Sequence, residues 1–154
     1  MKLPAGFVVR TLTAIALLGL STGASAQNMS PEGRWRTIDD ATHQTKSIVA
    51  IHIVNGEAEG AVEKVFVPPA KEEAPHCDGC PGEFAGKPIV GMRIMWGLKK
   101  SGDEWADGRV FDPDAKKTYR CKIRVVDAGR KLEVRGFIGF ALLGETQIWE
   151  RATP

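Results

Sequence analysis

"KTYRCKIRVVDAGRKLEVRGFI", residues 117–138, is the stretch on which the fold turns. Tyr119, Cys121, Ile123 and Val125 alternate with Thr118, Arg120, Lys122 and Arg124. Successive side chains leave a pleated backbone on opposite sides, so this period of two predicts a strand with one dry and one wet face. Asp127-Ala128-Gly129 supplies turn residues. Residues 131–138 then resume the alternation, with Leu132, Val134 and Ile138 inward. Two such runs joined by a tight turn form an antiparallel hairpin.

The same pattern extends in both directions. Upstream, "EWADGRVFD" (104–112) is a weaker strand between the turns Ser101-Gly102-Asp103 and Pro113-Asp114-Ala115. "IVGMRIMWGL" (89–98) places Val90, Met92, Ile94, Trp96 and Leu98 on one face. "SIVAIHIV" (47–54) ends at Asn55-Gly56, a hairpin signal because both residues accept positive φ. "EAEGAVEKVFV" (57–67) is the return strand, stopped by Pro68-Pro69, since proline donates nothing to a ladder. "GRWRTI" (33–38) alternates around Trp35; downstream, "GFALLG" (139–144) leads into "ETQIWER" (145–151).

The sum is eight strands joined mostly by short turns, with no convincing amphipathic helix. The fold class is all-β. Closure into an eight-stranded up-and-down antiparallel barrel removes the exposed edges and leaves an interior that can take one small ligand. A two-sheet sandwich is the alternative. Gly60 and Gly136 lie inside strands, where glycine marks the sharp bends of a small barrel.

Residues 1–26 read as a signal peptide: Lys2 and Arg10, a short apolar run from Thr11 to Leu20, and the cleavage pattern Ala24-Ser25-Ala26. A mature start at Gln27 and a periplasmic or secreted location are therefore expected. Residues 27–154 make one barrel domain, enough chain to bury about two-thirds of its unfolded surface. The apolar run is too short to span a bilayer, and no transmembrane segment is expected in the mature chain. Gly19-Leu20-Ser21-Thr22-Gly23 fits the G-x-S-x-G hydrolase elbow, but it lies in the segment to be removed. Lys2 and Arg10 account for the whole formal net charge of +2, so the mature chain is neutral. Nothing in that balance points to a nucleic-acid partner.

Gly33-x-Trp35 and Trp149-x-Arg151 resemble the calycin pattern shared by lipocalins and their relatives. There a first-strand tryptophan packs beneath a basic side chain from near the last strand and plugs one barrel end. The resemblance implies that Trp35 and Arg151 form this closing pair, a guanidinium stacked on an indole with its N–H groups on nearby carbonyls. "HCDGCPGEFAGKPIVGMRIMWGL", "GRVFDPDAKKTYRCK" and "LEVRGFIGFALLGETQIWERA" together resemble domain-of-unknown-function family 2147, small secreted bacterial proteins. The likeness covers most of the mature chain and is most specific over residues 132–151. It implies a lipocalin-like barrel and an exported location, and it brings no activity, cofactor or catalytic residue. Members of that family usually carry a basic residue where this chain has Glu145.

Cys77 and Cys80 sit in a long Pro- and Gly-rich loop, about residues 68–88. Four readings compete. A Cys77–Cys80 disulfide suits an oxidising compartment and would staple the loop, adding less than the ~3 kcal/mol of a fifteen-residue loop. A bridge from one of them to Cys121 would close a far larger loop, worth nearer ~4 kcal/mol. Zinc could use His76, Cys77 and Cys80, with His52 or Cys121 needed as the fourth ligand. A thioredoxin-type redox pair lacks the helix start that lowers a thiolate pKa. The staple is the favoured reading.

The other chemistry is thin. His52 reads as a core histidine and Asp39-Asp40 as a solvated turn. Asp107, Asp112 and Asp114 lack EF-hand spacing. No catalytic residue, cofactor or metal is assigned, and the chain is not expected to be an enzyme. The leading functional expectation is a binding module for a small apolar or amphipathic ligand. Its inward set comprises Met92, Ile94, Trp96, Tyr119, Ile123 and Val134, and it requires a cavity of about 300 Å³ or more with a mouth. The alternatives are a structural or protein-interaction role in the cell envelope through the apolar "GFALLG" loop, and metal binding through His76-Cys77-x-x-Cys80. Oligomeric state is not legible.

Overall fold

A computed structural model describes residues 28–66 and 75–153. The leader, its cleavage site and Pro68-Pro69 lie outside the described residues. Eight strands follow one another in chain order: β1 Gly33–Ile38, β2 Thr45–Val54, β3 Glu57–Val65, β4 Arg93–Ser101, β5 Glu104–Asp112, β6 Lys117–Val126, β7 Lys131–Phe137 and β8 Glu145–Arg151. Each pairs antiparallel with the next and β8 returns to β1, so the sheet closes into an up-and-down barrel. The sandwich alternative is excluded by that closure.

Register carries the apolar faces inward. Trp105 pairs with Ile123, Ile123 with Val134, and Val125 with Leu132, all buried. Trp35, Val49, Ile51, Met95, Leu98, Cys121 and Leu132 have no exposed surface, so side chains fill the barrel axis.

Three strand readings are corrected. β4 begins at Arg93, and Val90 lies in the loop, 42% exposed. The single-face alternation of 89–98 also fails within the strand, because Met95 and Leu98 are both fully buried. Gly97, at φ 70°, bulges between them and shifts the phase by one residue. Trp96 consequently points away from Met95, beside the exposed Arg109 with which it pairs. Ile138 lies past the end of β7 and is 56% exposed. His52 is exposed opposite Glu59, on the wet face of β2, and is not a core residue.

Gly108 is a tight interior position that composition alone does not single out. A Cβ there would stand 2.5 Å from Leu98 Cγ and 2.8 Å from the Trp96 carbonyl oxygen. The β4 and β5 backbones approach at a distance only glycine allows.

One barrel end is closed by the chain's own N-terminal segment. Arg151 lies over the Trp35 ring at 4.1 Å. Its Nε donates to Gly129 O at 2.6 Å, Nη1 to Glu32 O at 3.1 Å, and Nη2 to Ser30 O at 2.8 Å and Asn28 O at 3.2 Å. Trp35 Nε1 donates to Pro31 O at 2.8 Å. Burial lowers the Arg151 pKa from its ordinary value. The opposite, mouth end gathers the β1–β2 and β5–β6 turns, the cysteine loop and the β7–β8 loop.

Candidate functional site

The cysteine loop is a folded cover beside the mouth. Cys77 N donates to Lys87 O at 2.8 Å and Ile89 N to Pro75 O at 2.9 Å, so residues 75–77 and 87–89 run as a short antiparallel pair. Gly91 N donates to Val62 O at 2.7 Å and ties the pair to β3. Cys77 and Cys80 are disulfide-bonded, with Cα atoms 5.5 Å apart, and both are buried. The Phe84 ring stacks on Phe111 at 3.8 Å and lies 6.2 Å from Trp96. The staple reading therefore holds. The disulfide takes up the two sulfurs that the zinc reading needed as thiolates. His76 and His43 are exposed, and no three His, Cys, Asp or Glu side chains converge among the described residues.

Cys121 is unbridged inside the barrel, which excludes the long-range disulfide. Burial alone pushes its thiol up to about 12, the behaviour of a small hydrophobe rather than a nucleophile.

The structure divides the six residues of the expected ligand set. Ile123 and Val134 are buried in the packed interior, and Tyr119 sits half-buried near the mouth, facing Gly136. Met92 and Trp96 instead line a shallow surface groove of about 150 Å³ with Phe84, Lys87 and Arg93. Ile94 is buried and joins the same core cluster as the cysteine loop. A second depression, about 250 Å³, lies on the outer wall among Glu104, Lys122, Arg124, Glu133, Arg135 and Thr146.

The barrel wall is incompletely sealed toward the mouth. β1 and β8 share only the pairs Trp35–Arg151 and Arg36–Glu150, near the closed end. Toward the mouth, β8 keeps only β7 as a partner. Gln147 pairs with the buried Val134 and Glu145 with Gly136, so both face the inside, yet both are exposed.

The largest apolar exposure is the β7–β8 loop. A single 3-10 turn, Ala141–Leu143, presents Phe140 at 78%, Leu142 at 92% and Leu143 at 80% exposure. Arg120 Nη1 donates to Gly139 O at 3.0 Å and Arg135 Nε to Ala141 O at 2.6 Å, holding the loop's backbone from the outer wall. That wall sets like charges side by side: Arg109 opposite Arg120, and Lys122 opposite Arg135. Lys122 pairs with Glu104 at 2.9 Å and Arg124 with Glu133 at 2.8 Å. The hydrogen bond that Arg124 donates to Glu133, then the charge of that carboxylate, raises the Arg124 pKa. Among the described residues Arg109, Arg120 and Arg135 have no carboxylate partner. The wet stripe Arg120/Lys122/Arg124 is visible in the sequence. Its juxtaposition with Arg109, Arg135 and the apolar loop depends on register and is not.

A closed eight-stranded antiparallel barrel, capped where a last-strand arginine covers a first-strand tryptophan, is a lipocalin-like barrel. The chain belongs to the family described as uncharacterized protein conserved in bacteria (DUF2147), whose model matches residues 33–151. Among solved structures it is similar to protein HP1028 of the human pathogen Helicobacter pylori, described as belonging to the lipocalin family. The two share 17% identity over 81% of this chain and 84% of that one, with a TM-score of 0.68, a likeness of fold. No curated protein matches the chain.

Proposed function

We propose that the mature chain is an exported, non-catalytic barrel that works by docking its mouth end onto a component of the cell envelope. The single observation that carries this reading is the loop of Phe140, Leu142 and Leu143, which leaves three large apolar side chains in solvent. Apolar exposure concentrated in this way marks contact sites. The filled axis supports the choice: Trp35, Val49, Ile51, Met95 and Leu98 are fully buried inside the barrel. Export rests on the leader pattern of residues 1–26. The test is a photo-crosslinking residue at position 142 in the cell that makes the protein, with position 99 on β4 as the exposed control. Expected are adducts specific to position 142 on a chain whose intact mass begins at Gln27. Equal labelling at both positions, or an uncleaved leader, overturns the proposal.

A second reading is favoured by the unsealed β1–β8 wall. A small amphipathic ligand would enter there and meet Gln147, Glu145 and Tyr119, with its apolar part against Val134. Native mass spectrometry of the protein from its own compartment decides this one. A retained small-molecule mass lost on Q147W supports it, and a bare polypeptide mass discards it.

A further inference from the structure

The loop and the wall behind it form one continuous surface whose chemistry names its partner. We propose that the β7–β8 loop is an interfacial anchor, which inserts Phe140, Leu142 and Leu143 into an anionic lipid bilayer while Arg109, Arg120 and Arg135 contact the headgroups. This inference rests on the docking reading above and specifies the surface that is docked.

Three observations favour a bilayer over a protein. The first is shape. The apolar side chains project from one short turn at 78–92% exposure, a convex tip rather than the flatter patch that two proteins press together. The second is backbone satisfaction. A loop entering hydrocarbon must bring its polar groups already paired. Here the carbonyls of residues 139–141 enter already paired: Arg120 holds Gly139 O, Arg135 holds Ala141 O, and Leu143 N donates to Phe140 O at 3.1 Å. The guanidiniums sit where the tip meets the wall, the depth at which arginine keeps its head in the headgroup layer.

The third is charge. The mature chain is neutral, yet the guanidiniums of Arg109, Arg120 and Arg135 lack carboxylate partners among the described residues. Arg109 and Arg120 stand directly opposite on adjacent strands, a pairing that is unfavourable in isolation. Such an arrangement is relieved by an external anion, and a phosphodiester surface supplies many. Glu145, exposed at the start of β8 beside the loop, faces the barrel mouth and adds a negative charge close to the apolar tip.

The experiment is flotation of the mature protein, residues 27–154, with vesicles of phosphatidylcholine alone or with about one-third phosphatidylglycerol. Expected is co-flotation with the anionic vesicles only, falling as salt shortens the screening length. Leu142→Ser with Leu143→Ser should lower partitioning at least about tenfold, since two exposed leucines lose their transfer to lipid. Arg109→Gln should lower it about fivefold, the equivalent of one basic residue at an anionic surface. Glu145→Lys should raise it. Arg109 and the two leucines are exposed, so the urea unfolding midpoints of those variants should stay unchanged. No flotation with either vesicle, or equal flotation with both, overturns the proposal. If position 142 then crosslinks to a protein in cells, the docking reading stands and the lipid assignment falls. If it crosslinks to nothing, both fall.

Discussion

Replacing Arg151 should unfasten the closed end of the barrel, and its geometry sets the size of the effect. The guanidinium covers the fully buried Trp35 ring and donates to four backbone carbonyls, three of them on residues 28–32. A partly desolvated cation–π contact is worth about 1 kcal/mol. Four charge-assisted bonds would nominally add far more. However, the carbonyls on 28–32 can turn to water if that segment detaches, which limits their share to about 3 kcal/mol. Arg151→Ala should therefore cost about 4 kcal/mol, or ~15 °C in Tm for a domain of this size. Arg151→Lys keeps the charge without the planar fork and should cost about half as much. Urea unfolding of the mature protein, followed by tryptophan fluorescence, measures both. Arg130→Ala is the control: Arg130 is exposed and paired with Asp127, so its loss should cost less than about 1 kcal/mol. If Arg151→Ala lands within 1 kcal/mol of that control, the closing pair is decoration and the reasoning fails.

Three further outcomes are expected. Gly108→Ala forces a methyl group into Leu98 and the Trp96 carbonyl and should cost about 3 kcal/mol, whereas Gly136→Ala, whose nearest neighbour is Tyr119 Cβ at 3.6 Å, should be close to neutral; equal unfolding midpoints for the two would contradict the close approach of β4 and β5. Thiol titration should find no native reactivity and one free thiol after denaturation without reductant, assigned by peptide mapping to Cys121; three thiols would refute the disulfide. Asp39 accepts hydrogen bonds from the Thr42 backbone and hydroxyl and from Ala41 N, and the Thr42 backbone bond leads in holding its pKa below 3.8. Its contribution is present above the unfolded carboxylate value of about 3.9 and is lost as pH falls through the lower folded value. The stability gap between wild type and Asp39→Ala should close on acidification over that range, and a gap independent of pH would rule out the carboxylate as its source.

Strand number, order and closure were legible in the sequence, because a barrel wall with a dry inside imprints a period of two. β1, β5, β6 and β8 begin and end where alternation and turn residues place them. The Cys77–Cys80 staple followed from spacing and an expected oxidising compartment. The resemblance to calycins implied a Trp35–Arg151 pair, and the Arg151 guanidinium lies 4.1 Å from the Trp35 ring. What escaped the sequence has one physical origin. Alternation fixes a face only while the backbone stays regular, and a bulge reverses every later side chain. Across Gly97 that reversal sets Leu98 on the inner face with Met95 and leaves Trp96 outside. The tightness at Gly108, the seam left open between β1 and β8, and the meeting of Arg109 with Arg120 and of Lys122 with Arg135 are all matters of register between strands. A strand's own sequence sets which residues are apolar; which residues stand opposite one another is decided only when the strands pair. The apolar loop was visible from the start as six letters, and only the folded chain placed Arg120 and Arg135 behind it.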